Sequence, residues 1–339
     1  MNITFLIGNG FDINLGLKTQ YISFYPYFIK QASENNMIKN WINENERLWS
    51  DLEEKLGQEL KNVSEDNLEK FYDDMEEMNR LLIQYLENEQ KSYIIEDSEL
   101  IMKEFTRSML QFFYGLPLND VNSIRNTMNS YSNQEFIYSF ITFNYTDVLD
   151  RIIDLYENSK TIATHSYVGN VYGNNIGNVL HIHGTTEAEM ILGVNDKTQI
   201  ENDYLKSDTS FLDTIIKERM NNSIGQRKTE KGIKIIDDSH IMCIFGMSIG
   251  NTDKMWWEKI IDWLKVNGDN KLIIFVKGFE EELKKKIPAR TIRLNEKIKR
   301  DIFSKGKGNN DDSLYEKIKD RMMISYNANI FNLKQNKDI

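Results

Sequence analysis

The stretch Met1-Asn2-Ile3-Thr4-Phe5-Leu6-Ile7-Gly8-Asn9-Gly10-Phe11-Asp12 decides how the chain is read. Residues 2–7 form a short apolar run that stops at a glycine. A run of that kind suits a strand buried on both faces of a parallel sheet. Gly8-Asn9-Gly10 then turns the chain, and Gly16-Leu17 follows shortly after. A glycine-rich turn after the first strand of an α/β sheet lets backbone N–H groups approach a pyrophosphate, and the start of the next helix favours negative charge. Gly8, Asn9 and Gly10 are therefore candidate nucleotide-binding residues. The spacing departs from the GxGxxG dinucleotide fingerprint, and a tight strand-to-helix turn is the competing structural reading. Phe11 is expected to pack inward. Asp12 either caps the helix or contacts a ribose or substrate.

Working outward, the segments 135–143, 240–245 and 271–276 read as further buried strands, 179–182 as a weaker one and 321–331 as a late edge strand. The long interval between the first two strands is helical. Leu68, Phe71, Met75, Met78, Leu82 and Tyr85 recur at steps of three and four; so do Trp49, Leu52, Leu56 and Leu60, and Met102, Phe105, Met109 and Phe112. Trp256, Trp257 and Trp263 with Ile260 and Leu264 read as helix core, and 305–312 as a loop. The expected fold is α/β, a Rossmann-like parallel sheet with a long helical insertion after the first strand. One domain is expected over 1–339, with the insertion at about 22–130 and the sheet core from 1–21 and about 131–335.

Composition narrows the function classes. Hydrophobic residues make up 40% of the 339 and aromatics 11%, enough for a core, so disorder of the whole chain is excluded. A net charge of −10 makes a poor general binder of nucleic acid, which is not an expected partner. One cysteine, Cys243, allows neither an internal disulfide nor a multi-cysteine zinc site. No apolar run reaches the ~18 residues of a membrane-spanning helix. The first residues lack the basic start and cleavage site of a signal peptide. A soluble cytoplasmic protein without a membrane partner is expected.

Three further stretches carry candidate chemistry. In Phe143-Asn144-Tyr145-Thr146-Asp147, Asn144 lies at a strand end, where an amide can hold a ribose hydroxyl or a water through both donor and acceptor. A turn or cap role competes, and Thr146 or Asp147 would cap a helix over 148–155. In His181-Ile182-His183-Gly184 the two histidines would share a strand face. They read either as a metal pair lacking further ligands or as a site in which His183 is a general base. His165 and His240 are expected to be structural. In the stretch 245–253 (FGMSIGNTD), Gly246 would let the backbone approach a ligand and Ser248 would bind phosphate or ribose. Residues 246–250 also fit a bare G-x-S-x-G elbow, but the oxyanion-loop signature is missing and both histidines precede the serine, opposite to the hydrolase order.

Taken in order, GNGFD, W-x-D-L-E at 49–53, FNYTD, HIHG, LGVND at 192–196 and FGMSIGNTD resemble the AbiH family of bacteriophage abortive-infection proteins. The same skeleton is similar to the sirtuin-like NAD-binding fold. On that resemblance Gly8, Gly10 and Gly16-Leu17 match the glycine-rich loop. Asn144 matches the asparagine of Gln-Asn-Ile-Asp, His183-Gly184 the catalytic His-Gly, and Gly246 and Ser248 the late cofactor-contacting Gly-x-Ser. Departures are Thr146 where sirtuins carry aspartate, Lys18-Thr19-Gln20-Tyr21 in place of Pro-Asp-Phe-Arg, and the missing four-cysteine zinc module. Protein deacylation is therefore not expected.

The resemblance implies an anti-phage effector that hydrolyses NAD to nicotinamide and ADP-ribose. Asn144 and His183 would be catalytic. Gly8, Asn9, Gly10, Asp12, Gly246 and Ser248 would bind NAD or a related nucleotide, and no metal is expected. A catalytically silent nucleotide-binding sensor or scaffold is one alternative. A nuclease or other nucleotide hydrolase, built on Asp12, Glu53, Asp147 and Asp253, is another. Glu53, in the W-x-D-L-E stretch, stays outside the expected catalytic set. A phage-derived trigger, self-association as a homo-oligomer and gating by the helical insertion are further expectations.

Overall fold

The computed structural model describes residues 1–44, 49–156, 159–250, 253–278, 287–307 and 311–334. Among these, seven strands form one sheet: β1 (Asn2–Ile7), β2 (Phe136–Thr142), β3 (Thr161–Tyr167), β4 (Asn170–His181), β5 (Ile241–Phe245), β6 (Lys271–Val276) and β7 (Met322–Tyr326), in the spatial order 3-4-2-1-5-6-7. All neighbours are parallel except the antiparallel pair β3–β4. The chain is thus a mixed α/β protein with a mostly parallel sheet, and β1 lies at its centre, as its apolar composition requires.

The sequence between β1 and β2 holds α1 (Gly10–Leu15), α2 (Tyr21–Gln31), α3 (Met37–Glu44), α4 (Leu52–Glu59), α5 (Leu68–Ser92), α6 (Ser98–Leu110) and α7 (Leu118–Ser130). Beyond β2 come α8 (Val148–Asp154), then α9 (Asp203–Ser207), α10 (Thr209–Ile215), α11 (Lys217–Ser223) and α12 (Lys228–Asp237) between β4 and β5. α13 (Lys254–Val266), α14 (Pro288–Lys307) and α15 (Asp312–Ile318) follow.

Successive residues of β1 point to opposite faces, and both faces are covered. Ile3, Phe5 and Ile7 enter a core completed by α6, α7 and α8, where Phe5 stacks on Phe140 at 5.5 Å. Leu6 enters a second core under α13, whose Trp256, Trp257 and Trp263 are buried there with Ile302 of α14 and Tyr315 of α15. The helical interval divides in two. The stripe Phe105, Met109 and Phe112 packs on the sheet, whereas Phe24, Trp49, Leu56, Phe71 and Met78 of the earlier segment build a separate core with Leu192, Val194, Phe211 and Ile216. That third core ties the interval after β1 to the segment after β4.

The strand ends differ from the sequence reading where local signal is weak. β4 begins at Asn170, well before the expected 179, because it pairs with β3, a strand with no apolar run in its sequence. The two are joined through Val168 and Gly169, at φ 47° and 80°, a two-residue turn whose positive φ matches strand twist. Edge and polar, these strands lack the apolar run that betrays a buried one. β7 is an edge strand but stops at Tyr326, after which Phe331 folds back into the first core. Of the expected loop 305–312, residues 305–307 close α14 and Asp312 opens α15, while 308–310 lie outside the described residues. Asn251 and Thr252 of the FGMSIGNTD stretch also lie outside them. Among the described residues, no helix is long and apolar enough to cross a membrane.

Candidate functional site

From β1 the chain moves through β2 to β4 on one side, then crosses to β5 on the other, so the order reverses between β1 and β5. In open α/β sheets, ligands bind beyond the carboxyl ends of the strands at such a point. A cleft of about 1450 Å³ opens there. Its floor is made by the loops after β1 and β5, with Gly8, Asn9, Gly10, Gly246 and Ser248 all lining it.

The glycines serve the approach of these two loops to each other. The Gly8 N–H donates to the Phe245 carbonyl at 2.9 Å and the Gly10 N–H to the Gly246 carbonyl at 2.8 Å. A Cβ at Gly10 would lie 2.5 Å from the Gly246 Cα, and Gly246 sits at φ +71°. The N–H groups expected to meet a phosphate at Gly8 and Gly10 thus already have backbone partners, at the end of β5 and just beyond it. The Asn9 side chain is held too, donating to the Thr19 carbonyl at 3.0 Å and accepting from the Thr19 hydroxyl. Ser248 is exposed to the cleft.

Asp12 and Asn144 meet behind this floor and are not among the residues that line it. Asp12, in α1 and 1% exposed, accepts from the Asn144 Nδ2 at 3.1 Å and the Thr146 hydroxyl at 2.7 Å. Burial pushes its pKa up to about 6, against the pull of those two hydrogen bonds and of nearby His181. Asp147 stands at the N-cap of α8, as expected for one of the two candidates, but its side chain makes no cap bond, while Thr146 is committed to Asp12. The network locks the loop after β1 to the end of β2.

The two histidines part company. His181 ends β4, donates from Nδ1 to the Asn144 backbone carbonyl at 3.1 Å, and meets Asp150 through Nε2 at 2.7 Å. His183 stands beyond the strand end and lines the cleft, between Phe143 and Tyr145 at centroid distances of 5.8 and 6.4 Å. Gly184, at φ +75°, permits this turn, because a Cβ there would lie 2.0 Å from the Glu189 carbonyl oxygen. His183 is 7% exposed, and its Nδ1 has no hydrogen-bond partner among the described residues. Burial first, then the charges of Lys217 and Lys228, hold its pKa well below the usual histidine range, so the imidazole is neutral at neutral pH. His165 stacks on Phe136 at 4.2 Å, and the His240 Nδ1 accepts from the Asn2 N–H at 3.1 Å, both in structural settings.

Facing His183 is a charged group whose members lie far apart in the sequence. Glu53 of α4 forms a buried ion pair with Lys217 of α11, their side chains 10% and 5% exposed. The Tyr21 hydroxyl donates to the other Glu53 oxygen at 3.4 Å. Burial raises the Glu53 pKa, opposed by Lys217. Asp253 lines the same end, and its pKa is pushed to about 7 by burial, with Lys217 opposing and Glu53 and Asp51 adding to the shift. Of the four acids that a nuclease reading would gather, Glu53 and Asp253 line the cleft. Asp12 and Asp147 do not line it, and Asp147 pairs with Arg151 at 3.8 Å. Among the described residues, no group of three or more His, Cys, Asp and Glu is arranged to hold a metal ion.

Residues 4–275, most of the chain, match the family model described as bacteriophage abortive infection AbiH. The chain belongs to the AbiH family. Membership carries a role in phage abortive infection. No curated protein matches the chain. In this AbiH-family chain the motif stretches converge from distant parts of the sequence. GNGFD and FGMSIGNTD meet at the floor, WSDLE delivers Glu53, and HIHG delivers His183. LGVND acts indirectly: the Val194 N–H donates to the Ile215 carbonyl and the Lys217 N–H to the Val194 carbonyl, both at 2.9 Å, which fixes the start of α11 and hence Lys217. Glu53 had a readable signal, an acid placed inside the stripe Trp49, Leu52 and Leu56. Lys217 had none, lying in an unremarkable polar segment.

Proposed function

We propose that this AbiH-family chain acts in abortive infection by hydrolysing NAD to nicotinamide and ADP-ribose in the cleft over β1 and β5. The observation that carries the reading is His183: a neutral, nearly buried imidazole with an unpartnered nitrogen, lining a large cleft at the strand switch point. The cleft exceeds the roughly 300–1,000 Å³ of ordinary small-molecule pockets, room enough for a dinucleotide. Lys277, exposed at its mouth and bonded to Asn14 at 2.9 Å, supplies positive charge toward phosphates, and Ser248 a hydroxyl. These groups take over from the Gly8 and Gly10 N–H groups, which are bonded to the Phe245 and Gly246 carbonyls.

The chemistry asks little of the protein. Water attacks C1′ of the nicotinamide ribose, the C–N bond breaks, and its electron pair passes to the pyridinium nitrogen. Nicotinamide leaves neutral, so no general acid is needed, and the transition state is oxocarbenium-like. The proton of the attacking water goes to His183, which can accept it because it is held neutral. Asn144 serves here as a positioning residue. Held by Asp12, it fixes the loop from which Phe143 and Tyr145 frame His183. A phage-derived trigger acting through the α4 segment would reach the site directly, since Glu53 belongs to it.

The test is product analysis by mass spectrometry after incubation with NAD, with and without lysate of phage-infected cells. Wild type should release nicotinamide and ADP-ribose, and His183→Ala should lose about a hundredfold or more of the rate. Stabilisation by NAD with no products in any condition would instead support a nucleotide-binding sensor. That reading is favoured by the engagement of Asn144 and of the Gly8 and Gly10 amides with protein partners.

A further inference from the structure

The end of the cleft around His183 is unbalanced in charge. Asp51, Glu53 and Asp253 line it, and Lys217 is the cation among them. Lys217 is committed to Glu53, and Asp51 caps α4 by accepting from the Glu54 N–H at 3.1 Å. Asp253 has no such partner: among the described residues its carboxylate makes no hydrogen bond or ion pair. Asp253 is half-buried, and a carboxylate in that position with no protein partner is open to a ligand that completes it.

The same end is walled by aromatic rings. Tyr21, Phe143 and Tyr145 line it, and the Tyr145 hydroxyl is tied to the Ile191 carbonyl at 3.0 Å, which holds the ring in place. Aromatic faces together with a carboxylate attract an organic cation with a flat, weakly hydrated charge. His183, flanked by Phe143 and Tyr145, adds an uncharged imidazole that does not repel one.

We propose that Asp253, with Tyr21 and Tyr145, forms a subsite for a planar organic cation, and that Glu53 neutralises Lys217 so that this cation is not repelled. The occupant is the oxidised nicotinamide ring, a pyridinium; its identity rests on the NAD reading above, whereas the cation preference follows from the residues themselves. The subsite selects the oxidised nucleotide over the reduced one, whose ring carries no charge. It also places Asp253 and Glu53 in the machinery of the cleft.

The experiment compares 1-methylnicotinamide with nicotinamide by titration calorimetry or NMR on the full chain at about pH 8, above the value of about 7 to which Asp253 is raised, so that its carboxylate is ionised. The two share the ring and the amide and differ by an N-methyl group and the positive charge it creates. Wild type should bind the cation about tenfold more tightly, in the range of a partly desolvated cation–aromatic contact beside a carboxylate. Asp253→Asn should bring the two within about twofold, and Asp253→Glu should keep the preference. That second variant separates lost charge from a damaged fold. Equal binding of the two by wild type, no binding of either, or a preference that survives Asp253→Asn would overturn the proposal. ADP-ribose, which has no nicotinamide ring, reports separately on the nucleotide reading. If it fails to bind while the cation preference holds, the NAD reading falls and the subsite stands.

Discussion

Replacing Lys217 by methionine keeps most of the side-chain volume and removes the charge opposite Glu53. The pair is buried, with side-chain exposures of 5% and 10%. It therefore belongs with buried ion pairs, where deleting one partner leaves an uncompensated charge and costs about 3–5 kcal/mol. By contrast, Arg219–Asp213 is 42% and 45% exposed, and Arg219→Met should cost no more than about 1 kcal/mol. The Lys217 deficit should also depend on pH. Glu53 already binds its proton more tightly in the folded chain than in the unfolded one, and Lys217 is the largest influence opposing that shift. Without Lys217 the folded-state pKa rises further. The penalty is absent while Glu53 is protonated in both states and opens as pH rises above the ordinary carboxylate range. Urea unfolding of wild type, Lys217→Met and the Glu53→Gln/Lys217→Met double variant, at about pH 5 and pH 7.5, measures this. Lys217→Met should lose about 3–5 kcal/mol at the higher pH and less at the lower, and the double variant should recover part of the loss. A deficit below about 1 kcal/mol, a deficit equal at both pH values, or a double variant no better than the single one would refute the reasoning.

Two further substitutions probe the frame of the site. Gly184→Ala forces an L residue to φ +75° and sets its Cβ 2.0 Å from the Glu189 carbonyl oxygen, so thermal unfolding should show a loss of about 2 kcal/mol or more; an unchanged melting temperature would contradict the geometry. Asp12 holds its proton more tightly folded, about 6 against 3.8, so its contribution makes stability fall as pH rises between those values, by about 3 kcal/mol at most. Asp12→Asn should remove that slope from urea midpoints measured between pH 4 and 7, and an identical pH dependence in variant and wild type would show that Asp12 is not so buried.

Much of the fold was legible because its signals are local. An apolar run ending in glycine marks β1, and a step of three and four marks α5, whichever partners they later find. The β3–β4 hairpin was missed because edge strands carry polar, half-exposed residues, and its Val168-Gly169 turn resembles many other short loops. The site was partly legible. His183, Gly8, Asn9, Gly10, Gly246 and Ser248 were picked from strand ends and do line one cleft. Asp12 and Asn144 were picked by the same logic, yet they turn to each other across 132 residues of sequence.

By itself, the sequence determined what depends on near neighbours: which segments are strands or helices, which faces are apolar, and which side chains stand at strand ends. Tertiary structure alone decided how the polar groups are shared out. Glu53 and Lys217 lie 164 residues apart, and nothing in either local sequence names the other. Their pairing follows from the core that joins the helices after β1 to the segment after β4. Burial in that arrangement sets the charge of His183, Glu53 and Asp253. Desolvation depends on what surrounds a group in space, and the order of residues along the chain does not encode it locally.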